Sequence, residues 1–292
     1  HWSIAGRVIV ITLIQVGGLG IMSIASLTGM LLTGRVKLRS RYSTAAEGRP
    51  ILEGGVRATL VATLLLTFAF ELFVAVILFF RFMVEYDMPV LSAAGEGIFH
   101  AISAFNNAGF GLRSDSLISY NSDGWILLPL AGALMIGGLG YPVLSELVGR
   151  SRERFRGLLR GTPVSARRLS VTTRITLAGT TFLVLSAMAL IAVLEWRGFL
   201  ADMSTGTKLL NAFFSGVTPR TAGFNSIDYA DAHPITLMVT DIYMFIGGGS
   251  AGTAGGIKIT TAIVLIAAMA AEFGGRDQTT VGKRTVPKSV VR

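Results

Sequence analysis

The chain has 292 residues, 51% of them hydrophobic and only 15% charged, with a mean hydropathy of +0.62; soluble domains carry about 25% charged residues, so this composition excludes an ordinary soluble domain and belongs in a bilayer. Cysteine is absent and the three histidines, His1, His100 and His233, show no metal-ligand spacing, which excludes disulfides, thiolate metal sites, a thiol nucleophile and any basis for a metalloenzyme. The net charge of +9 does not indicate nucleic acid, because the basic residues are gathered between apolar stretches.

The chain opens on His1 rather than Met, with no charged segment ahead of an apolar core, which predicts no signal peptide and a start partway into a longer protein. A stretch must hold about 20 apolar residues to cross about 30 Å of hydrocarbon. Such stretches fall near 8–32, 58–80, 125–148, 175–194 and 235–272. Segments 34–57, 149–174 and 273–292 between and after them hold 19 of the 26 Lys and Arg. The alternate loops instead hold Glu85, Asp87, Glu96, Asp115, Asp123, Asp202, Asp228 and Asp231. Excess basic charge marks the cytoplasmic side, so the first span runs from outside to inside. The arginine run at 150–168 reads as a solvated loop contacting anionic lipid, with docking of a cytosolic regulator as the alternative.

Two strings repeat. "IQVGGLGIMS" (14–23), "LMIGGLGYPV" (134–143) and a diverged "MFIGGGSAGTAGG" (244–256) each fall inside an apolar span, while "NNAGFGLRSDS" (106–116) and "PRTAGFNSIDY" (219–229) are polar. The unit is an apolar span, a half-length amphipathic helix, an Ala-Gly-Phe turn, and an apolar span with a Gly-Gly kink. The organisation predicted is therefore 1–33, the inner helix closing a first repeat; 34–57, a cytoplasmic loop; 58–148, repeat 2; 149–174, a cytoplasmic loop; 175–272, repeat 3; and 273–292, a cytoplasmic segment. The fold class is an all-α membrane protein with re-entrant half-helices.

The half-length helices, 95–105 and 207–216, are too short to cross a bilayer. Non-helical backbone at membrane depth is tolerated where protein buries it or where it lines a water-filled cavity. The two turns therefore predict a shared polar pathway. A helix ending there directs its negative dipole end into the cavity, which favours a cation, and an extended strand after it can replace the ion's hydration shell with carbonyl oxygens. Gly109 and Gly223 supply the backbone freedom; Asn107, Ala108, Thr221 and Ala222 supply carbonyls for K⁺; Phe110 and Phe224 wedge the strands against the helices. Between Gly247 and Gly256, six residues of ten are glycine. Each costs about 1 kcal/mol against Ala in a helix, so the run Gly247, Gly248, Gly249, Ser250, Ala251, Gly252, Thr253, Ala254, Gly255, Gly256 should unwind the span, the alternative being close packing of small residues. Lys258 either caps loop carbonyls or stands as a positive barrier. Glu71 and Asp241, acids inside apolar spans, read as paired structural groups ahead of cation ligands, and Arg220 reads as structural.

These strings resemble the Trk/Ktr/HKT superfamily of potassium, and in some members sodium, transporters. "FHAISAFNNAGF" is similar to its second pore loop, "FFSGVTPRTAGFNSID" to its third, "IGGGSAGTAGGIKITT" to the broken inner helix of its third repeat, and "IQVGGLGIMS" to the inner helix closing its first. The resemblance implies four M1–pore loop–M2 repeats around one K⁺-channel-like pore, of which the first filter strand and the fourth repeat are absent here. It implies K⁺ uptake, with Na⁺ transport or Na⁺/K⁺ cotransport as the alternative, and an intramembrane loop at Gly247–Gly256 that gates the path. It also implies a homodimer docked on a cytosolic nucleotide-binding regulatory subunit (TrkA/KtrA-like) and residence in the plasma (inner) membrane. No enzyme activity and no covalently bound cofactor are expected. A membrane enzyme would have to recruit Ser103, His100 and Asp115, which share no nucleophile–base–orienter spacing. An organic-solute transporter would place charged or hydrogen-bonding side chains where this chain has bare glycine backbone.

Overall fold

The computed structural model describes residues 3–35, 55–161, 169–274, 279–281 and 284–286. The helices are α1 (Ile4–Arg35), α2 (Gly55–Glu85), α3 (Val90–Phe105), α4 (Gly124–Leu139), α5 (Tyr141–Arg160), α6 (Val171–Glu195), α7 (Thr205–Val217), α8 (Pro234–Phe245) and α9 (Ile259–Phe273), followed by an antiparallel pair β1 (Thr279–Val281) and β2 (Arg284–Val286). Helix starts follow local chemistry. The side chains of Asp123, Ser170 and Ser204 accept from backbone N–H groups of the first turns of α4, α6 and α7, satisfying donors that have no partner inside the helix. Pro234 opens α8 at a position where the missing N–H costs nothing.

Within α2 and α6, Val61–Glu85 and Val171–Glu195 are long and apolar enough to cross a membrane. Helices α3 and α7 have 16 and 13 residues. Both are longer than the sequence suggests yet short of a crossing. Each lies along the preceding long helix, α3 on α2 and α7 on α6. Gly97 and Gly216 permit the approach: a Cβ on Gly97 would lie 2.9 Å from the Ala75 carbonyl oxygen, and one on Gly216 would lie 2.9 Å from Met188 N. The main core gathers Leu78, Phe82, Phe105, Leu117, Tyr120 and Leu130 between α2, α3 and α4, and extends to Phe214 and Phe224 of the second unit. A smaller cluster of Ile191, Leu200, Ala212 and Ile227 sits behind α7.

Three expectations are corrected. Helix α1 runs unbroken through Gly17, Gly18 and Gly20, and Gly137 and Gly138 also remain helical. These glycines serve close packing: a Cβ on Gly18 would overlap the Asn106 side chain, and one on Gly137 would overlap the Phe105 carbonyl. Second, the stretch 125–148 is not one straight span, since the chain turns by 109° between α4 and α5. The turn sits at Gly140, whose φ of 88° is readily available to glycine alone. Third, 149–174 is not a loop throughout, because α5 remains helical to Arg160. The basic residues expected at 36–54, 162–168 and 287–292 lie outside the described residues.

Candidate functional site

The two Ala-Gly-Phe turns leave the C-terminal ends of α3 and α7. After α3, Asn107 N donates to the Ala104 carbonyl at 2.9 Å and Ala108 N to the Ser103 carbonyl at 2.9 Å; after α7, Ala222 N donates to the Thr218 carbonyl at 3.0 Å. The backbone then repeats one pattern. Asn107 (φ 51°) and Gly109 (φ 71°) have positive φ, as do Thr221 (φ 67°) and Gly223 (φ 81°), whereas Ala108 and Ala222 do not. Left-handed backbone is costly for residues with a Cβ. Finding it at the same two positions of both turns indicates a conformation imposed by its surroundings. Among the described residues, no hydrogen bond ends on the carbonyls of Asn107, Ala108, Thr221 or Ala222. Ala222 is buried, where carbonyls ordinarily find donors, while Asn107, Ala108 and Thr221 are half-buried.

The turns touch each other. A Cβ on Gly109 would overlap the Ala222 carbonyl and lie 2.7 Å from Gly223 Cα, while one on Gly223 would meet Gly109 Cα at 3.4 Å. Just beyond them the two segments are tied by Leu117 N to the Asn225 carbonyl (2.9 Å) and Asn225 N to Ser116 Oγ (3.1 Å). The ring of Phe224 is fully buried and stacks on His100 of α3, with centroids 6.1 Å apart. Phe110 is instead 46% exposed, so the expected wedge is formed by Phe224, where α3 covers the ring.

Behind the first turn stands a polar network that long-range contact alone reveals. The Asn106 amide donates to Glu71 Oε1 at 3.0 Å, and Gln15 Nε2 donates to Glu71 Oε2 at 3.1 Å. Glu71 thereby links α1, α2 and the residue preceding the turn. Ser103 Oγ donates to the Phe110 carbonyl at 2.8 Å. His100, Ser103 and Asp115 thus support structure: His100 Nδ1 lies 2.9 Å from the Glu96 carbonyl, and the Asp115 carboxylate accepts from the Ser119 backbone and hydroxyl. Arg220 is buried beside the second turn. Asp241 was expected to be paired, but it is exposed on α8, and no ion pair among the described residues reaches it.

Residues 246–258 interrupt the last span as a compact loop. Its two ends are stitched by Gly247 N to the Ile257 carbonyl (3.0 Å) and Ile257 N to the Phe245 carbonyl (3.0 Å). Its body docks on the end of α4, through Gly249 N to the Gly138 carbonyl (2.7 Å), Thr253 N to the Gly137 carbonyl (3.2 Å) and Tyr141 N to the Ala251 carbonyl (3.3 Å). The loop also meets the starts of both turns. Asn107 Nδ2 donates to Thr253 Oγ1 at 2.8 Å, and Gly255 N donates to Thr221 Oγ1 at 2.7 Å. A Cβ on Gly248 would overlap the Gly138 carbonyl, and one on Gly252 would lie 2.6 Å from it. The glycines therefore break the helix and also permit close packing, so both sequence readings describe part of their role. Lys258 Nζ donates to the Ala254 carbonyl within the loop, the capping arrangement. A separate apolar groove of about 540 Å³ lies between α2 and α4, lined by Phe70, Phe73, Trp125 and Leu128, away from the turns.

The profile of the TrkH family, described as cation transport protein, matches residues 3–292. The chain is 35% identical over 294 residues to "Ktr system potassium uptake protein B" of Bacillus subtilis (strain 168), covering 100% of this chain and 62% of that protein. It is 31% identical over 293 residues to "Potassium/sodium uptake protein NtpJ" of Enterococcus hirae, covering 100% and 61%. It is 33% identical over 290 residues to "Ktr system potassium uptake protein B" of Vibrio alginolyticus, covering 98% and 60%. The chain thus spans 60% to 62% of the length of these relatives. Its fold matches the crystal structure of the potassium transporter TrkH from Vibrio parahaemolyticus with a TM-score of 0.69, over 98% of this chain and 55% of that one, at 19% identity.

Proposed function

The chain belongs to the TrkH family of cation transport proteins, and from that premise we propose that the full-length protein takes up K⁺ through a filter built from backbone carbonyls. The observation that carries this reading is the pair of turns with alternating backbone handedness, whose carbonyls at Asn107, Ala108, Thr221 and Ala222 accept no hydrogen bond among the described residues. Carbonyl oxygens arranged around an ion replace its hydration shell, and the C-terminal ends of α3 and α7 add negative potential there. Gly109, Phe110, Gly223 and Phe224 complete the two filter segments.

The loop from Gly247 to Gly256 is the gate. Its contacts with Asn107 and Thr221 support a position at the inner end of the filter, and Lys258 holds it by capping. The full-length protein works in the plasma (inner) membrane as a homodimer with a cytosolic nucleotide-binding regulatory subunit. The names of two relatives, each a protein of a Ktr system, favour such a multi-component assembly. Transport of Na⁺ is the second reading, favoured by the name of the Enterococcus hirae relative. Rubidium tracer uptake in a bacterium lacking its own potassium uptake tests the filter. Gly109→Asp and Gly223→Asp should each remove uptake at unchanged membrane levels of protein, and wild-type uptake by both would overturn the assignment.

A further inference from the structure

Helix α5 begins inside the protein's hydrophobic core and ends outside it. Val143 and Leu144 belong to the main core, and Tyr141 is buried. The stripe that starts with Tyr141 and Leu144 continues at helical spacing through Val148, Phe155, Leu158 and Leu159. These four are 38%, 62%, 81% and 70% exposed. Arg152 and Arg156 border the stripe on one side and Arg154 on the other, and Arg150 and Arg160 lie toward the opposite face. No described element covers this apolar line.

Two further observations bear on its level and direction. The Glu146 carboxylate accepts from Ser170 N at 2.8 Å and Thr173 Oγ1 at 2.5 Å, which sets α5 level with the first turn of α6, the basic end of a full-length span. The 109° turn from α4 carries the helix across the direction of α4 itself. A helix with an apolar stripe flanked by arginine, lying at this level, has the chemistry of one that rests in the headgroup region. Guanidinium groups pair with lipid phosphates, while the stripe enters the acyl boundary on the side already occupied by Tyr141 and Leu144.

We propose that residues 148–160 form an interfacial helix that binds the anionic phospholipid surface of the cytoplasmic leaflet. This rests on the chain being a membrane protein and not on the filter assignment, so either can fail alone. The 292 residues contain no cysteine, and with any cysteine elsewhere in the full-length protein replaced by serine, Leu158→Cys and Arg156→Cys place single nitroxide labels on opposite sides of the helix. The full-length protein is reconstituted in vesicles with phosphatidylglycerol or with phosphatidylcholine alone, and collisions with oxygen and with a water-soluble nickel chelate are compared. The expected result is a several-fold preference for oxygen at the Leu158→Cys label and the reverse at Arg156→Cys. Omitting phosphatidylglycerol, or introducing Arg150→Gln, Arg152→Gln and Arg154→Gln together, should reduce the oxygen preference. Equal nickel access at both labels would overturn the proposal as a free aqueous helix. Protection of Leu158→Cys from both reagents would overturn it in favour of a protein partner, and indifference to lipid charge would overturn the anionic specificity.

Discussion

The two filter glycines occupy equivalent places in the repeat but differ in their surroundings, so Gly109→Ala and Gly223→Ala should have unequal effects. Both residues have positive φ, and alanine there costs about 1–2 kcal/mol, which is roughly a 5- to 30-fold shift between conformations. At Gly223 that is nearly the whole penalty, because the new methyl would meet Gly109 Cα at 3.4 Å and the Ala108 carbonyl at 3.9 Å. At Gly109 the methyl would overlap the Ala222 carbonyl and sit 2.7 Å from Gly223 Cα. Carbon atoms rest at about 3.5–4.0 Å, so one strand must move by roughly 1 Å. Neither neighbour is a side chain that can rotate away. The displaced atoms include a carbonyl assigned to the ion. Rubidium uptake by the full-length variants, at matched membrane levels, should therefore fall to background for Gly109→Ala, whereas Gly223→Ala retains measurable uptake. Equal losses in the two variants, or retained uptake by Gly109→Ala, would refute the reasoning.

Deleting Ser250–Gly252 removes the acceptor for Tyr141 N while leaving the stitched ends of the loop in place; basal cation flux in liposomes should rise with selectivity largely kept, whereas a fall in flux at normal yield would count against a gate. Glu71→Leu strips the amides of Gln15 and Asn106 of their shared acceptor. Asn106 Nδ2 keeps the Ile102 carbonyl, while a polar group left without a partner costs about 1–3 kcal/mol, so thermal stability of the full-length protein in detergent should drop for Glu71→Leu and less for Glu71→Gln. Asp123 caps α4 and accepts from Arg81 Nε at 2.7 Å and Tyr86 Oη at 3.1 Å. Loss of the cap alone costs about 1 kcal/mol, so Asp123→Ala should destabilise by more than Arg81→Ala in the same melting assay.

The sequence reveals features set by local rules. Spans, half-length helices and the broken last span follow from length and glycine content, and the Ala-Gly-Phe turns follow from repetition. What escapes it depends on contacts between distant residues. Nothing near Glu71 indicates that its partners are Gln15 and Asn106, nor does the string at 137–140 say that Gly140 turns the chain while Gly137 packs against the Phe105 carbonyl. Helix α5 is hidden for another reason. Arginines at 150, 152, 154 and 156 alternate at a period of two, masking the helical stripe through Val148, Phe155 and Leu159. The difference between Phe110, 46% exposed, and Phe224, buried against His100, is likewise invisible in identical tripeptides, because it depends on tertiary packing.

The central claim is that a cation is held by main-chain oxygens where the two turns meet. Thallium, which scatters anomalously and substitutes for K⁺, locates such a site directly in crystals of the full-length protein. The account predicts an anomalous peak facing the carbonyls of Asn107, Ala108, Thr221 and Ala222, and loss of that peak in Gly109→Asp. A peak beside the carboxylate of Glu71 or Asp241, with none between the turns, would contradict it.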